Sequence, residues 1–318
     1  VKRLLVLLVV LAGISACGYD DTVVPRPDDA ATTSTSPPTT TPCDNDGTQL
    51  RSYAPDSGPV GGDAVQAIKA RGRLVAGVAA DALLLGARNP ARNRIEGFDI
   101  DMVYAIAGEI FGETDRAALD RANRVELKVI TAAQRIPFLQ DGTVDIVARN
   151  FTVTCTRWQD IAFSEVYYQA GQKLLVGLDS GIDGVDDLAD ERICAPAGTT
   201  TVDNLADVAP DATIVTAPNI SACMILFQNG DADGVSSDDT VLAGLAAQDP
   251  YAEVLDTAPL SKEPYGIGVG QDNVDLVRLV NQVLEDMRRD GRWRASYDTW
   301  LKPELKVSGV QPEPVYGR

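Results

Sequence analysis

From residue 63 onward, short runs in which apolar residues fill nearly every position alternate with longer stretches in which they recur every three or four. The first pattern is that of a strand covered on both faces, the second that of a helix with one buried stripe. Strands are expected at 73–78, 125–130 and 144–148. A helix follows Gly97-Phe98-Asp99-Ile100-Asp101, with Val103, Ile106, Ala107 and Ile110 on one face, and a short helix over 135–140 stops at Gly142. A second cycle opens near Gln172 with strands at 173–176 and 192–195, turns at Ala197-Gly198-Thr199-Thr200-Thr201 into a helix, and adds a strand at 232–236. The last long helix puts Val277, Val280, Leu284 and Met287 on one stripe and ends at Arg288-Arg289-Asp290-Gly291. A short helix with Trp293, Tyr297 and Trp300 comes next, and the proline-containing tail after Leu305 is expected to be loose. The alternation predicts parallel α/β sheets with crossover helices.

The first residues break this pattern. Val1-Lys2-Arg3 precedes an apolar run from Leu4 to Ile14 that is short for a membrane span and reads as a signal peptide. It ends in Ile14-Ser15-Ala16-Cys17-Gly18, which looks like a lipobox, so Cys17 is expected to be acylated and to become the mature N-terminus. Residues 1–17 are therefore read as a lipoprotein signal. Residues 18–62, rich in Asp, Thr, Ser and Pro, are read as a disordered tether and N-terminal extension. The expected location is the outer face of the cytoplasmic membrane.

Composition narrows the partners. The 318 residues are 45% hydrophobic, enough for two lobes of ordinary size, and 28 Lys+Arg against 46 Asp+Glu give a net charge of -18. That charge argues against nucleic acid or anionic headgroups as partner, but not against a locally positive pocket. Four cysteines remain after Cys17, namely Cys43, Cys155, Cys194 and Cys223, and an even number in an exported chain points to two disulfides in one of three pairings. With no histidine and no zinc-knuckle spacing, neither a metal nor a cofactor is expected.

At Gly97-Phe98-Asp99-Ile100-Asp101, Arg135-Ile136-Pro137-Phe138-Leu139-Gln140, Thr152-Val153-Thr154-Cys155-Thr156-Arg157, Ile161-Ala162-Phe163-Ser164 and Ala197-Gly198-Thr199-Thr200-Thr201, the chain resembles the polar amino-acid binding proteins of ABC importers, solute-binding protein family 3. The resemblance runs over about residues 65 to 303 and is strongest toward actinobacterial glutamine- and glutamate/aspartate-binding lipoproteins. It implies an α/β chain of the type II periplasmic-binding-protein fold, with two Rossmann-like lobes joined by two hinge strands, Tyr167 to Gly171 and Ser261 to Tyr265. Lobe 1 would comprise 63–166 plus 262–305, lobe 2 residues 167–261, and 306–318 a C-terminal tail. The favoured pairing then puts Cys194-Cys223 within one lobe and uses Cys43-Cys155 to pin the extension to the other. The implied partners are a small-molecule amino acid, the membrane through the lipid anchor, and an ABC permease or, alternatively, a membrane signalling receptor. The chain is expected to act as a monomer.

A zwitterion taken from water needs both of its charges matched. By the resemblance, Arg157 would grip the α-carboxylate with a two-pronged guanidinium. The backbone N–H groups of Gly198, Thr199 and Thr200, where a strand turns into a helix, would assist. Asp238 would accept from the ammonium, with Asp239 as its immediate rival, one binding while the other caps the next helix, and Asn150 and Thr152 would supply a carbonyl and a hydroxyl. Asn150 stands where relatives more often have Gly or Ser. Arg135, with Arg149 and Arg88 as further candidates, would favour an acidic side chain, and the expected ligand is glutamate, aspartate or one of their amides. The Phe that glutamine-binding relatives carry near Ala132 and Ala133 is missing. An enzyme on the same fold is the rival reading. The chain shows no activated nucleophile motif and no further catalytic domain after Leu305, so no catalysis is expected.

Overall fold

The computed structural model describes residues 43, 45, 47–56 and 61–318. The apolar N-terminal run, Cys17 and the segment up to Pro42 lie outside the described residues. Among the described residues no helix is long and apolar enough to cross a membrane.

Helix α1 (Asp63–Arg71) stops at Gly72 in a left-handed conformation and feeds β1 (Leu74–Val78), all five residues of which are buried. A small antiparallel sheet of β2 (Asp81–Ala82), β3 (Gly86–Asn89) and β4 (Arg94–Glu96) follows, which the short polar-rich segments did not reveal by pattern. Helix α2 (Phe98–Phe111) carries the stripe read from the sequence and buries Ile100, Val103, Ile106 and Ile110. Then come α3 (Arg116–Arg121), β5 (Val125–Val129), α4 (Arg135–Gln140), β6 (Ile146–Ala148) and the single-turn α5 (Cys155–Trp158).

Strand β7 (Ile161–Gly177) is one continuous element of 17 residues. After it come β8 (Arg192–Pro196), α6 (Thr200–Val208), β9 (Thr213–Ala217), α7 (Ile220–Gln228), β10 (Gly234–Asp238), α8 (Asp239–Ala246), β11 (Ala252–Val254) and β12 (Lys262–Gly270). The chain closes with α9 (Val274–Asp290), α10 (Arg292–Trp300) and α11 (Lys302–Leu305).

The main sheet runs β5-β1-β6-β12-β7-β10-β8-β9, with β11 added on β7. Its ends are parallel units, β1 with β5 and β6, and β8 with β9 and β10. Antiparallel β12 and β7 lie between them. The first part of β7 pairs with β12, from Ile161 opposite Gly270 to Gly171 opposite Lys262, and the second part pairs with β10, from Gln172 to Val176. Two strands thus join two α/β lobes, and helices cover the faces as parallel sheets require. An aromatic wedge of Phe98, Tyr167, Tyr168, Trp293 and Tyr297 fills the first lobe behind this junction. The second lobe has its own apolar cluster around Leu174, Leu188, Ile193 and Leu205.

Both disulfides form in the favoured pairing, Cys43–Cys155 with Cα atoms 5.6 Å apart and Cys194–Cys223 at 5.4 Å, ordinary separations for the bond. The expected looseness of the tail after Leu305 does not hold. Ser52 bridges to Tyr316, the Tyr316 hydroxyl lies within hydrogen-bond distance of both the Glu165 and Glu285 carboxylates, and Gln311 donates to the Leu284 carbonyl. On the other terminal segment, the Gln49 carbonyl accepts from the Trp158 indole at 2.7 Å and Ser52 donates to the Phe163 carbonyl. Polar side chains here find buried partners on β7 and α9, so low hydrophobicity does not translate into disorder.

Candidate functional site

The site lies where the two lobes meet across β7 and β12. Its arginine side belongs to the first lobe. Arg135 opens α4 and is 2% exposed, and its guanidinium is held by backbone carbonyls alone. Nε donates to Ala132, Nη1 to Arg149 and Asn150, and Nη2 to Gly198 of the opposite lobe at 2.9 Å. Four of its five N–H groups are thereby used. Arg157 lies on α5, whose N-cap Thr154 accepts from the Arg157 backbone N–H. It donates one Nη1 hydrogen to the Thr152 carbonyl at 2.6 Å. Phe151 lies under both cations, with the Arg135 guanidinium 4.3 Å and that of Arg157 5.0 Å from the ring centroid. Burial lowers both pKa values, that of Arg157 to about 10, so Arg157 stays charged at neutral pH.

The loop carrying these groups is fixed from behind. Asn150 has a φ of 34°, a left-handed conformation that Asn tolerates better than most residues, which explains how it fills a position more often given to Gly. Its backbone N–H donates to Asp99, and Asp99 also accepts from the Tyr167 hydroxyl at 2.7 Å. Burial raises the Asp99 pKa to about 6. The Asn150 carbonyl, expected to meet a ligand, is already taken by Arg135.

The acidic side is shared between the second lobe and β12. Asp238 ends β10 at 4% exposure and accepts from the Tyr265 hydroxyl at 2.6 Å, while the neighbouring Asp239 carboxylate turns to the Thr240 backbone N–H. Burial pushes the Asp238 carboxyl up to about 8, and the nearby Glu263 charge adds to the effect. Glu263, at 1% exposure, is a site residue that the sequence reading missed. One of its oxygens accepts from the Thr152 and Thr200 hydroxyls at 2.6 and 2.7 Å, the other from Ser261 and Asn204 at 2.5 and 3.0 Å. A buried acid inside a predicted hinge strand was the available signal.

The remaining candidates separate clearly. Gly198 has a φ of 77°, and a Cβ there would come within 2.7 Å of the Ala133 backbone, so only glycine permits the lobes to approach this closely. Thr199 spends its hydroxyl on the Pro196 carbonyl and closes its own turn. Arg149 is buried, donates to the Ile130 carbonyl and is balanced by the Asp81 and Asp99 charges. Arg88 does not join the group. It is exposed on β3 and borders a separate cleft with Leu84, Trp300 and Glu304, because the β2–β4 sheet turns it outward. Arg157 and Asp238, in contrast, lie near enough to feel each other's charge. None of Arg135, Arg149 and Arg157 has a carboxylate within 4.0 Å among the described residues.

The chain has relatives among known proteins. Over 243 residues the chain is 34% identical to the ABC transporter glutamine-binding protein GlnH of Bacillus subtilis, a match covering 76% of this chain and 86% of that one. It is 30% identical over 241 residues to the glutamate-binding protein GluB of Corynebacterium efficiens, covering 74% and 80%. The crystal structure of the solute receptor for L-cysteine of Neisseria gonorrhoeae superposes with a TM-score of 0.72 at 24% identity, covering 78% of this chain and 99% of that one, and shares its type II periplasmic-binding-protein fold. The profile of the bacterial extracellular solute-binding proteins, family 3, matches residues 74–303, and the chain belongs to that family.

Proposed function

We propose that this protein captures one zwitterionic amino acid outside the cytoplasmic membrane, closes its lobes around it and hands it to the permease of an ABC importer, without chemical turnover. Arg157 keeps four N–H groups for the α-carboxylate, joined by the backbone N–H groups of the 198–200 turn, and Asp238 receives the ammonium. Tyr265 holds that carboxylate in place. The family and the glutamine- and glutamate-binding relatives support this reading.

The observation that carries the ligand class is the charge balance of the cluster. Two arginines, Arg135 and Arg157, stand against two carboxylates, Asp238 and Glu263, when Asp238 is ionised by its ligand. Arg88 is outside the cluster, Arg149 is already balanced, and Arg135 has one N–H left to offer. A second ligand carboxylate would be buried without its own cation, which is costly. The side chain is therefore a neutral amide, glutamine before glutamate or aspartate. Calorimetric titration of refolded, ligand-stripped protein with the twenty amino acids tests this, with L-glutamine expected at least tenfold tighter than L-glutamate at pH 7. Tighter binding of glutamate or aspartate sinks the charge count, and a product found by mass spectrometry after incubation sinks the claim of no turnover. Anchoring through Cys17 is part of the proposal, and loss of membrane association in Cys17→Ser is the expected result.

A further inference from the structure

Glu263 enters the charge balance of the site but need not touch the ligand. Yet it receives four hydrogen bonds from three parts of the molecule: Thr152 on the first lobe, Thr200 and Asn204 on the second, and Ser261 beside it. A hydroxyl has one hydrogen to give. With a carboxylate taking the hydrogens of both Thr152 and Thr200, neither hydroxyl can donate to a second carboxylate. Each still has an oxygen lone pair to offer.

From this geometry we infer that Glu263 is a positioning residue that sets the polarity of the site. It turns Thr152 and Thr200 into acceptors only, so that they meet the ligand's ammonium beside Asp238 and leave the ligand carboxylate to Arg157 and the backbone. The inference rests on the zwitterion reading above and deepens it. Because the two hydroxyls come from different lobes, their alignment by one carboxylate also requires the closed arrangement, which ties ligand orientation to closure.

A double-mutant cycle on the full chain tests it, with L-glutamine and L-glutamate as probes and calorimetry as the readout. Glu263→Gln and Thr200→Val are each expected to weaken binding about tenfold or more, the scale of a hydrogen bond to a charged group. If Glu263 acts through the hydroxyls, the double variant loses no more than about threefold beyond the weaker single one. Losses that multiply, or a Glu263→Gln protein that binds like the wild type, overturn the inference while leaving the capture of an amino acid intact. A wild type that binds neither probe nor any other amino acid overturns both. Should Glu263→Gln fail to fold, Thr200→Ser against Thr200→Val decides. The serine variant keeps the hydroxyl and should stay within about threefold of wild type, and equal binding by the two variants overturns the inference.

Discussion

The two sides of the cleft hold their charges by different means. On the arginine side, Arg135 and Arg157 rest on backbone carbonyls and on the face of Phe151. On the acidic side, Asp238 and Glu263 are held by hydroxyls and an amide, several of them from the other side of the junction. Carbonyl dipoles do not titrate, and Arg157 stays charged up to about pH 10, whereas burial leaves Asp238 with a pKa near 8. On the proposed function, the half that takes the ligand carboxylate keeps the Arg157 charge throughout, and the half that takes the ammonium acquires its charge when the ligand arrives. Preorganisation of that kind lowers the reorganisation needed on binding, while the switchable half reports whether binding has occurred.

The largest test strikes the permanent side. Arg157→Lys keeps the charge but loses the flat fork that can hold two carboxylate oxygens and stack on Phe151. Affinity should fall by at least about a hundredfold, a loss of roughly 3 kcal/mol. Calorimetry at several pH values should show the loss to be the same throughout, since Arg157 itself stays charged up to about pH 10. A Lys variant within a few-fold of wild type would show that the two sides do not differ as described.

The switchable side makes a second, smaller prediction. Asp238 has a folded pKa of about 8 against 3.8 for an ordinary aspartate, so between these values the native protein holds a proton that the unfolded chain has lost. Its contribution to ligand-free stability is complete below about pH 4 and is lost as pH rises to 8. Asp99, raised to about 6, acts in the same direction but only in the lower part of that window. Thermal melts of stripped protein should therefore fall from pH 6 to 8 for the wild type and stay nearly flat for Asp238→Asn. Ligand binding runs the other way. An ionised Asp238 is needed for the ammonium, so affinity should rise with pH by up to about tenfold per unit below pH 8, with proton release visible as buffer-dependent heat. Glu263, Asp239, Tyr265 and Arg135 all face this group and set where the rise occurs. A rise that survives in Asp238→Asn would assign the titration elsewhere.

Much of this contrast was legible in the sequence, and the illegible part has a consistent cause. The helix after Gly97, the short helix of Arg135 and the turn before Thr200 are local patterns, and a local pattern survives in one dimension. The strand 213–217 and the helix 220–228 were missed because the strand is half exposed and the helix is apolar nearly all round, so neither shows a clean period. Strand β7 was read in pieces because Gln169, Gly171 and Gln172 interrupt it just where it passes from one partner strand to another. Arg88 and Glu263 were misjudged for a related reason. Proximity to a site is set by sheet order, and Glu263, 25 positions past Asp238, returns near it only because β12 is antiparallel to β7.

The least effect on affinity is expected from the disulfide behind the arginine side. Cys43–Cys155 joins the N-terminal extension to the first residue of α5, two positions before Arg157, and Asn45 accepts from the Cys155 backbone N–H at 2.8 Å. The bond closes a loop over a sequence separation of 112, so its loss should cost stability, by about 5 kcal/mol if loop entropy dominates. Arg157, however, is held in place by Thr152, Thr154 and Phe151, none of which belongs to the extension. The paired variant Cys43→Ser/Cys155→Ser should therefore melt several degrees lower yet bind L-glutamine within about threefold of wild type, which calorimetry well below the melting point can read. A loss as large as that of Arg157→Lys would mean that the arginine side owes its fixed geometry to the extension, and that its readiness is conditional on oxidation rather than built into the first lobe.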